Sequence, residues 1–439
     1  MMMQRLYFCV MLIGFAAGAA SAQQWFVSPV GSDDPNGSPE QPFETIQQAL
    51  DAAQDGDTII LMPGVYSGQG NYDLYLSGLS LTIRSIEPNN WDIVESTVID
   101  PQQQGGVFIF NGAGQDRIAV EGLTFQNAVK LAPFNSSGPY EPPYYVEPHG
   151  AAMFADGGQI DIRFCLFYNC QAELGGAVYF GDVEATVSHC IFAGNVGWDG
   201  GALIADLDSR VSLEQCTLAG NMADISGGAA ACEFGSTLAI QSSILWGNGL
   251  IEPDAKGSQI YAADASRVDV EYSVIEDGAD GTYAEDIDTE IILDESVIDA
   301  DPLFVSFDAQ QFPFDGNVRL QSVFGRWDPA VQNWVMDANT SPCIIAGPTE
   351  ADYSREPWPN GRRANIGAYG NTAQASLYGN IADLNIDGRV DMADLAMLAA
   401  VWMDPPVDYE DFDQNGQTDI ADLITLAENW LWQMPYDKP

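Results

Sequence analysis

The sequence has few basic residues: 15 lysines and arginines stand against 63 aspartates and glutamates, and the formal net charge is −48. A chain without a basic patch cannot release the counterions of phosphate groups, so nucleic acid and anionic lipid are excluded as expected partners. Only two histidines are present, His149 and His189. Neither stands beside a visible nucleophile, so a Ser-His-Asp site has weak support.

Long apolar runs are also scarce. After the N-terminal segment no run of eighteen apolar residues occurs, so we expect no membrane-spanning helix. Residues 1–22 have the pattern of a signal peptide: Arg5, an apolar run from Leu6 to Ala17, and a small-residue triplet ending at Ala22. We therefore expect a secreted, extracellular protein of a bacterium, with the signal cleaved after Ala22.

A repeat of about 26 residues fills the middle of the chain. Cys165, Cys190 and Cys216 lie 25 and 26 residues apart, and Gly-Gly-Ala recurs from Gly175, Gly200 and Gly227. Short β-rich pieces at such a period are typical of a solenoid. The pattern predicts an all-β fold, a right-handed parallel β-helix solenoid over residues 23–378. Stacked thiols have parallel Cβ vectors, which favours a core ladder over disulfides or a metal site.

Asparagine recurs just after the cysteine column. The members are Asn127, Asn195, Asn221 and Asn248, with Cys170 in one repeat. Because Asn tolerates left-handed geometry and stacked amides can bond along the axis, we expect these residues at tight turns. Residues 43–53 are amphipathic at helical spacing and predict a capping helix at the N-terminal end.

The segment from Trp25 to Tyr66 closely resembles the N-terminal part of the pectate-lyase-like β-helix superfamily, in an uncharacterised branch. Residues 301–304, 341–343 and 361–370 resemble the closing segment of exported β-helix proteins. The resemblance covers nearly all of residues 24–378. It implies the fold, but this architecture carries lyases, hydrolases, epimerases and inert adhesins, so it leaves the chemistry open.

A series of acids follows the Gly-Gly-Ala motifs and forms the candidate catalytic set: Asp156, Asp182, Asp206 and Glu233, with Asp264 in the next repeat. Carboxylates stacked at coil spacing raise one another's pKa, and paired carboxylates are used in glycoside hydrolysis. The alternative is that these acids are ordinary turn residues, because aspartate favours turns through local hydrogen bonds.

An insertion between Asn127 and Gly150 interrupts the period and is rich in proline and tyrosine. It predicts a loop across one face of the solenoid, and its tyrosines are candidate substrate-binding residues: Tyr140, Tyr144 and Tyr145. The alternative is that these rings simply pack on the coils.

Two acidic twelve-residue loops begin 28 positions apart, at Asp383 and Asp411. Oxygen-bearing side chains occupy positions 1, 3, 5, 9 and 12, glycine is at position 6, and position 7 offers its carbonyl, which is the order that wraps Ca²⁺. We predict two calcium ions. The ligands of the first are Asp383, Asn385, Asp387, Arg389, Asp391 and Asp394. Those of the second are Asp411, Asp413, Asn415, Gln417, Asp419 and Asp422.

Each loop precedes an apolar stripe at helical spacing, Met392-Leu395-Leu398-Trp402 in one and Ile420-Leu423-Leu426-Trp430 in the other. We expect the two stripes to pack together. The duplicated loop-helix unit, residues 379–439, resembles a dockerin type I module, a small all-α calcium-binding plug. The resemblance implies docking to a cohesin-type module or cell-surface scaffold. At the usual recognition positions this chain has Met392-Ala393 and Ile420-Ala421, so the partner stays open.

Two functional hypotheses follow. In the first, the protein has a carbohydrate-related role, binding or degrading a polysaccharide, and docks through its calcium module. If it is an enzyme, we expect a polysaccharide lyase or glycoside hydrolase. In the second, it is a non-catalytic extracellular structural or adhesin-like β-helix protein.

Overall fold

The computed structural model describes residues 22–76, 78–112, 116–131, 148–308, 314–403, 410–412 and 416–433. Residues 1–21 of the predicted signal peptide and the three loop tyrosines Tyr140, Tyr144 and Tyr145 lie outside these ranges, as do the predicted calcium ligands Asp413 and Asn415.

Most of the chain winds through four parallel sheets, and each coil adds one short strand to a sheet. The first sheet has ten strands: Gln24–Val27, Thr58–Leu61, Leu81–Ser85, Arg117–Glu121, Gln159–Arg163, Glu184–Ser188, Arg210–Glu214, Thr237–Gln241, Arg267–Glu271 and Glu290–Leu293. The second has eight: Gly64–Tyr66, Thr97–Ile99, Thr124–Gln126, Leu166–Tyr168, Ile191–Ala193, Thr217–Ala219, Ile244–Trp246 and Val274–Ile275.

The third sheet is narrower and has five strands: Val129–Lys130, Gln171–Ala172, Val196–Asp199, Met222–Ser226 and Gly249–Leu250. The fourth has eight: Leu74–Tyr75, Phe108–Asn111, Met153–Asp156, Val178–Gly181, Leu203–Asp206, Ala230–Cys232, Ile260–Ala262 and Thr282–Ala284. This arrangement is all-β and consistent with the predicted right-handed parallel β-helix.

The interior of the coils is apolar and stacked. Phe125, Phe167 and Phe192 form a column with ring centroids 5.0 and 4.5 Å apart. The six cysteines of the described chain are buried and free. In their column the main-chain N–H of Cys216 donates to Ser243 Oγ at 3.0 Å, and Ser243 N–H donates to the next coil in the same way. The column is thus a small-residue ladder.

A second ladder consists of buried asparagines. Asn195 donates from its main-chain nitrogen and from Nδ2 to Oδ1 of Asn221, at 3.0 and 2.9 Å. Asn221 repeats both bonds to Asn248 at 2.9 Å. Each amide also donates to a main-chain carbonyl of the preceding coil, for example Asn221 to Phe192 at 3.0 Å. The interior therefore satisfies these amides without water.

The left-handed turn geometry lies one residue before the position that we predicted. The residues preceding the ladder are Gly194, Gly220 and Gly247, with φ of 65°, 64° and 67°. Asn127, with φ of 57°, belongs to this earlier position and not to the ladder, because its strand ends in register with Tyr168. Glycine adopts positive φ without a steric penalty, which leaves the asparagine free to bond along the axis.

The Gly-Gly-Ala motifs link the third and fourth sheets. The first glycine is left-handed, with φ of 59° at Gly175 and 66° at Gly200. The second lies where adjacent coils approach closely: a Cβ on Gly201 would be 2.1 Å from the carbonyl oxygen of Gly228. Both glycines are therefore required by the backbone itself.

A short helix covers the N-terminal end, as predicted. It spans Ile46–Ala52, and the side chains of its N-cap Thr45 and of Gln48 form a capping box. Ile46, Ala49 and Leu50 are buried against the first coils. A second helix, Trp91–Ser96, lies on the outside of the second sheet, and its Trp91 is 1% exposed.

Residues 302–308 and 314–378 pack along the outer face of the second sheet instead of only closing the end of the solenoid. Their strands form two antiparallel hairpins, Phe304–Ser306 with Asn317–Leu320 and Arg326–Asp328 with Asn333–Val335. Phe314 N–H donates to Asn169 at 2.7 Å. This segment creates a second core, which includes Trp91, Leu166, Ile191, Phe314, Leu320, Ile344 and Tyr369.

The C-terminal module has two helices, Met392–Ala400 and Ile420–Glu428. Its core contains Ala382, Leu384, Val390, Leu398 and Leu426. The predicted stripes are only partly buried, because Met392 and Ile420 begin their helices away from this core and are 66% and 60% exposed.

The module also contacts the segment that covers the second sheet. The indole nitrogen of Trp358 donates to the carbonyl oxygen of Ile381 at 2.9 Å. The rings of Phe324 and Trp432 lie 6.2 Å apart, edge to face.

Candidate functional site

An aromatic row runs along the outer face of the fourth sheet. Strand pairing places its members in register: Ile109, Phe154, Tyr179, Ile204, Ala231, Tyr261 and Tyr283. Phe154 and Tyr179 stack at 5.2 Å, and Tyr261 and Tyr283 lie parallel at 6.2 Å. Ile204 and Ala231 are smaller, so the face is lower between Tyr179 and Tyr261 than at either side.

An acidic row lies two residues farther along the same strands, on the same face because side chains alternate. It contains Asp156, Asp206, Glu233 and Glu285, with Gly181 and Ala263 in the intervening coils. Asp156 pairs with Gly181 and Gly181 with Asp206. Glu233 N–H donates to Ala205 O at 2.8 Å, which places Glu233 beside Asp206 in the next coil.

Asp182 does not join this row. It follows Gly181 by one residue, is exposed, and has a left-handed φ of 48°. Asp264 is likewise exposed, with φ of 55°. The structure thus brings Asp206 and Glu233 together in adjacent coils and places Asp156 on the same face two coils from Asp206. Asp182 lies at the turn that leads back to the first sheet.

Glu233 has the most perturbed carboxyl group of the row. Burial, together with the charges of Asp199, Asp206 and other nearby acids, raises its pKa to about 8. It is therefore mostly protonated at neutral pH. Asp206 is 6% exposed and accepts a hydrogen bond from the hydroxyl of Tyr179 at 2.9 Å. Burial raises the pKa of Asp206 as well, while the bond from Tyr179 opposes the shift.

Residues from the third sheet border the face. Asp199 accepts a hydrogen bond from Ser226 Oγ at 2.6 Å, and burial raises the pKa of Asp199. Tyr261 donates its hydroxyl to Glu285. The protonated Glu233 beside Asp206, flanked by Tyr179 and Tyr261, can donate a proton to a bound molecule.

Basic side chains lie at the two ends of the row. The ammonium group of Lys130 is 5.2 Å from the ring centre of Phe154, and that of Lys256 is 5.7 Å from the ring centre of Tyr283. Beside Lys130, the His149 ring lies 4.9 Å from that of Tyr179, and burial followed by the charge of Lys130 lowers the histidine pKa to about 4.

Sequence reasoning missed Tyr179, Tyr261 and Glu285. The two tyrosines could have been found from their distance to the glycine motif. Tyr179 lies two residues after Ala177, and counting from this motif aligns the strands of neighbouring coils. An aromatic residue in a short strand is more often interior, so only strand pairing shows which face it occupies.

The first acidic loop of the C-terminal module folds around two buried carboxylates. Asp383 accepts hydrogen bonds from the N–H groups of Asp387 and Gly388, at 3.1 and 2.9 Å. Asp394, which is 0% exposed, accepts from Asn385 and Asp391, at 3.2 and 2.8 Å. Burial and the neighbouring acids raise the pKa of Asp383 to about 6. Like charges held together in this way fit a bound cation.

The second loop repeats this arrangement in its described part. Asp422 is 0% exposed and accepts from Phe412 and Asp419 N–H, at 2.6 and 2.8 Å, and Gly416 donates to Asp411 at 2.7 Å. Among the residues that the structure describes, no group of three or more His, Cys, Asp and Glu side chains forms a ready-made metal site. A calcium loop also uses amide and main-chain oxygens.

In the described part of the chain, no helix is long and apolar enough to cross a membrane.

Comparison with known proteins gives limited similarity. None of the protein families compared with the chain matches it. The pectate lyase PEL9 of Emericella nidulans is 35% identical over 91 residues, which are 20% of this chain and 21% of that protein. The chain thus aligns with about a fifth of this curated relative's length.

Solved structures are more distant in sequence. Pectate lyase Pel9A is 14% identical, with a TM-score of 0.37, over 80% of this chain and 97% of that chain. A pectin methylesterase from Aspergillus niger is 14% identical, with a TM-score of 0.36, over 63% and 84%. Scores this low carry no argument about activity, and the parallel β-helix is established by the strand pairing described above.

Proposed function

We propose that this protein acts on a polysaccharide, which it binds along the outer face of the fourth sheet and cleaves with the acidic row. The observation that carries the proposal is the juxtaposition of Glu233 and Asp206 in adjacent coils, within reach of Tyr179 and Tyr261. Burial and the neighbouring acids hold Glu233 protonated at neutral pH. A proton-donating acid beside a second carboxyl group is the arrangement that glycosidic-bond hydrolysis requires.

In this mechanism Glu233 donates its proton to the leaving oxygen of the glycosidic bond. Asp206, held by the hydroxyl of Tyr179, supplies the negative charge that stabilises the sugar cation or activates water. The exposed part of the Tyr283 ring, stacked on Tyr261, offers apolar surface to a neighbouring sugar unit. A chain of sugars laid along the row crosses several coils, each about 4.8 Å from the next.

The second candidate is a lyase reaction on a uronate-containing glycan. It is favoured by the similarity to a pectate lyase over 91 residues and by the two lysines that border the row. A lyase removes a proton beside the uronate carboxyl group and leaves an unsaturated sugar, whereas a hydrolase leaves two saturated ends. The products therefore separate the two chemistries.

The test is a product assay on neutral glycans and on pectin with the wild type, Glu233→Gln and Asp206→Asn. We expect each substitution to reduce turnover by about 100-fold or more while glycan binding remains. The matched control is Glu184→Gln, an exposed acid on the first sheet. Binding without turnover in the wild type would support instead the non-catalytic adhesin-like alternative. Unsaturated products would support the lyase.

We also propose that the protein is secreted and that its C-terminal module binds two calcium ions and docks to a cohesin-type or cell-surface partner. The support is the buried Asp383 and Asp394 in the first loop and the buried Asp422 in the second. Calcium would neutralise these carboxylates. The exposed Met392 and Ile420 leave apolar surface for a partner. Cohesin binding measured with and without chelator tests the proposal, and unchanged binding in chelator would contradict it.

A further inference from the structure

A recess of about 410 Å³ lies on a different face from the acidic row, between the second sheet and the segment that covers it. Tyr168 and Gln126 come from the second sheet, and Phe314, Asn317 and Arg319 come from the covering segment. Tyr369 completes the lining, and Glu95 and Asp315 also border it. The volume is within the range of small-ligand pockets.

Arg319 fixes the polar side of this recess. The residue is 5% exposed, and its guanidinium lies 4.4 Å from the ring centre of Tyr369. It donates to Glu95 and to Gln374, each at 2.9 Å. Its Nε is buried without a hydrogen-bond partner among the described residues. A buried guanidinium with one N–H donor unbonded costs free energy unless another group accepts a hydrogen bond from that donor.

Two phenol hydroxyl groups belong to the same recess. Burial raises the pKa of Tyr168 and of Tyr369, so both hydroxyls stay protonated. Within the described part of the chain, no protein group forms a hydrogen bond to either hydroxyl. The rings supply apolar surface, and that of Tyr168 lies nearly parallel to Phe314 at 6.2 Å. The recess thus combines apolar walls with two hydroxyl donors.

The charges of the side chains around the recess indicate which class of ligand fits it. Glu95 already neutralises Arg319, with 2.9 Å between their atoms, and the exposed Asp315 adds a negative charge. An anionic ligand therefore meets no net positive charge. A sugar ring has apolar C–H faces and a girdle of hydroxyls, which matches aromatic walls with phenol, amide and carboxylate groups. We propose that this recess is a second binding site, which holds a neutral sugar unit of a glycan.

This inference does not rest on the proposed function, because it uses none of the residues of the acidic row. The simplest alternative is a recess filled only by water, which would satisfy the same donors. The two cases differ in whether neutral sugars bind and in whether Tyr168 matters for their binding.

The experiment is calorimetric titration of the full chain with three neutral probes, cellotetraose, mannotetraose and xylotetraose, and one anionic probe, tetragalacturonate. The variants are Tyr168→Phe, Arg319→Lys and the control Tyr353→Phe, which alters a tyrosine outside the recess. We expect at least one neutral probe to bind, and Tyr168→Phe to weaken it about fivefold to tenfold. Tyr353→Phe should leave the affinity unchanged.

Thermal unfolding of each variant establishes that it is folded, and Tyr168→Phe alone suffices if Arg319→Lys does not fold. Tyr283→Ala, on the face that carries the acidic row, is titrated in parallel: loss of binding in Tyr168→Phe but not in Tyr283→Ala assigns the sugar to the recess even if the acidic row proves inactive. The inference is overturned if no neutral probe binds, if Tyr168→Phe binds as well as the wild type, or if tetragalacturonate is preferred.

Discussion

The β-helix and the C-terminal module bury polar groups in opposite ways. In the ladders of the β-helix the buried groups are neutral amides and hydroxyls, and each bonds to the next coil, as Asn195 does to Asn221. In the module the buried groups are carboxylates, Asp383, Asp394 and Asp422, which accept main-chain N–H bonds but keep charges of one sign close together. The first solution is complete within the chain, whereas the second leaves a need for a cation.

The β-helix and the C-terminal module therefore differ in the source of their stability. A ladder repeats in every coil, so its stability grows with the number of coils and depends on backbone approach. An acidic loop gains little without its ion because unneutralised ligands repel one another. Four changes to the protein or its solution test this contrast.

The largest effect should come from adding one methyl group between coils. Gly201→Ala places a Cβ 2.1 Å from the Gly228 carbonyl oxygen, and a backbone atom cannot move aside without opening the stack. We expect a loss of at least about 3 kcal/mol in the free energy of unfolding, or no folded protein. Urea unfolding followed by circular dichroism measures it.

The matched control is Gly416→Ala in the second acidic loop, where φ is 91° and no atom lies within 4 Å of the added Cβ. Strain alone should cost about 1–3 kcal/mol there and leave the β-helix transition unchanged. Equal losses in the β-helix for both variants would show that coil contact at Gly201 is not what limits the stack.

Removal of divalent metal should affect the module alone. In excess EDTA we expect proteolysis to cut within residues 379–439, because the buried carboxylates lose their counter-charge. Residues 23–378 should stay resistant, since their ladders use no ion. Limited proteolysis with mass spectrometry of the full chain reports both regions at once. Equal resistance of the module with calcium and with EDTA would contradict the calcium proposal.

Breaking one rung of the asparagine ladder should have an intermediate effect. Asn221→Ala removes bonds to Asn195, Asn248 and Phe192 and leaves buried donors and acceptors unpaired. We expect a loss of about 2–3 kcal/mol in the free energy of unfolding. Asn89→Ala, at an exposed asparagine, should change it by less than about 0.5 kcal/mol. Denaturant titration of both variants compares them, and similar small losses would mean that the ladder is not a source of stability.

Periodicity predicted the coils because a stacked fold applies the same local rule in every turn. The cysteine spacing and the Gly-Gly-Ala motifs mark the positions where space is most limited. These positions are the interior column and the close backbone approach at Gly201. The capping helix at Ile46–Ala52 was predictable for a similar reason, since its buried face and its cap are both local in sequence.

Single-residue register was not predictable from the period. Asp182 follows a Gly-Gly-Ala motif much as Asp156 and Asp206 do, but it lies one residue later, and a shift of one residue moves a side chain off the shared face. The same error of one residue led us to predict Asn127 as a member of the asparagine ladder. Strand pairing decides such positions through contacts between coils, which no single repeat contains.

The path of residues 302–378 was not predictable either, because it depends on contacts between distant parts of the chain. Arg319 bonds to Glu95, and Phe314 bonds to Asn169. No local sequence pattern predicts such pairs. The recess that this segment creates was therefore absent from the sequence-based site.

A buried carboxyl group of the covering segment, that of Glu356, contrasts with the charged loops of the module. Glu356 is 4% exposed, and burial raises its pKa from 4.5 to about 8 although two main-chain N–H groups bond to it. In the unfolded chain it loses its proton near pH 4.5, whereas in the fold it keeps the proton up to about pH 8. The unfolded state therefore binds fewer protons in this window, and the contribution of Glu356 to stability falls as the pH rises from about 4.5 to 8.

We expect this contribution to fall by about 1 kcal/mol per pH unit. In Glu356→Gln the side chain does not titrate, so the free energy of unfolding should depend less steeply on pH within the window, and the two proteins should differ most near pH 8. Denaturant unfolding at intervals between pH 4.5 and 8 measures the slope. Parallel slopes for the two proteins would mean that Glu356 titrates in the fold as it does in water.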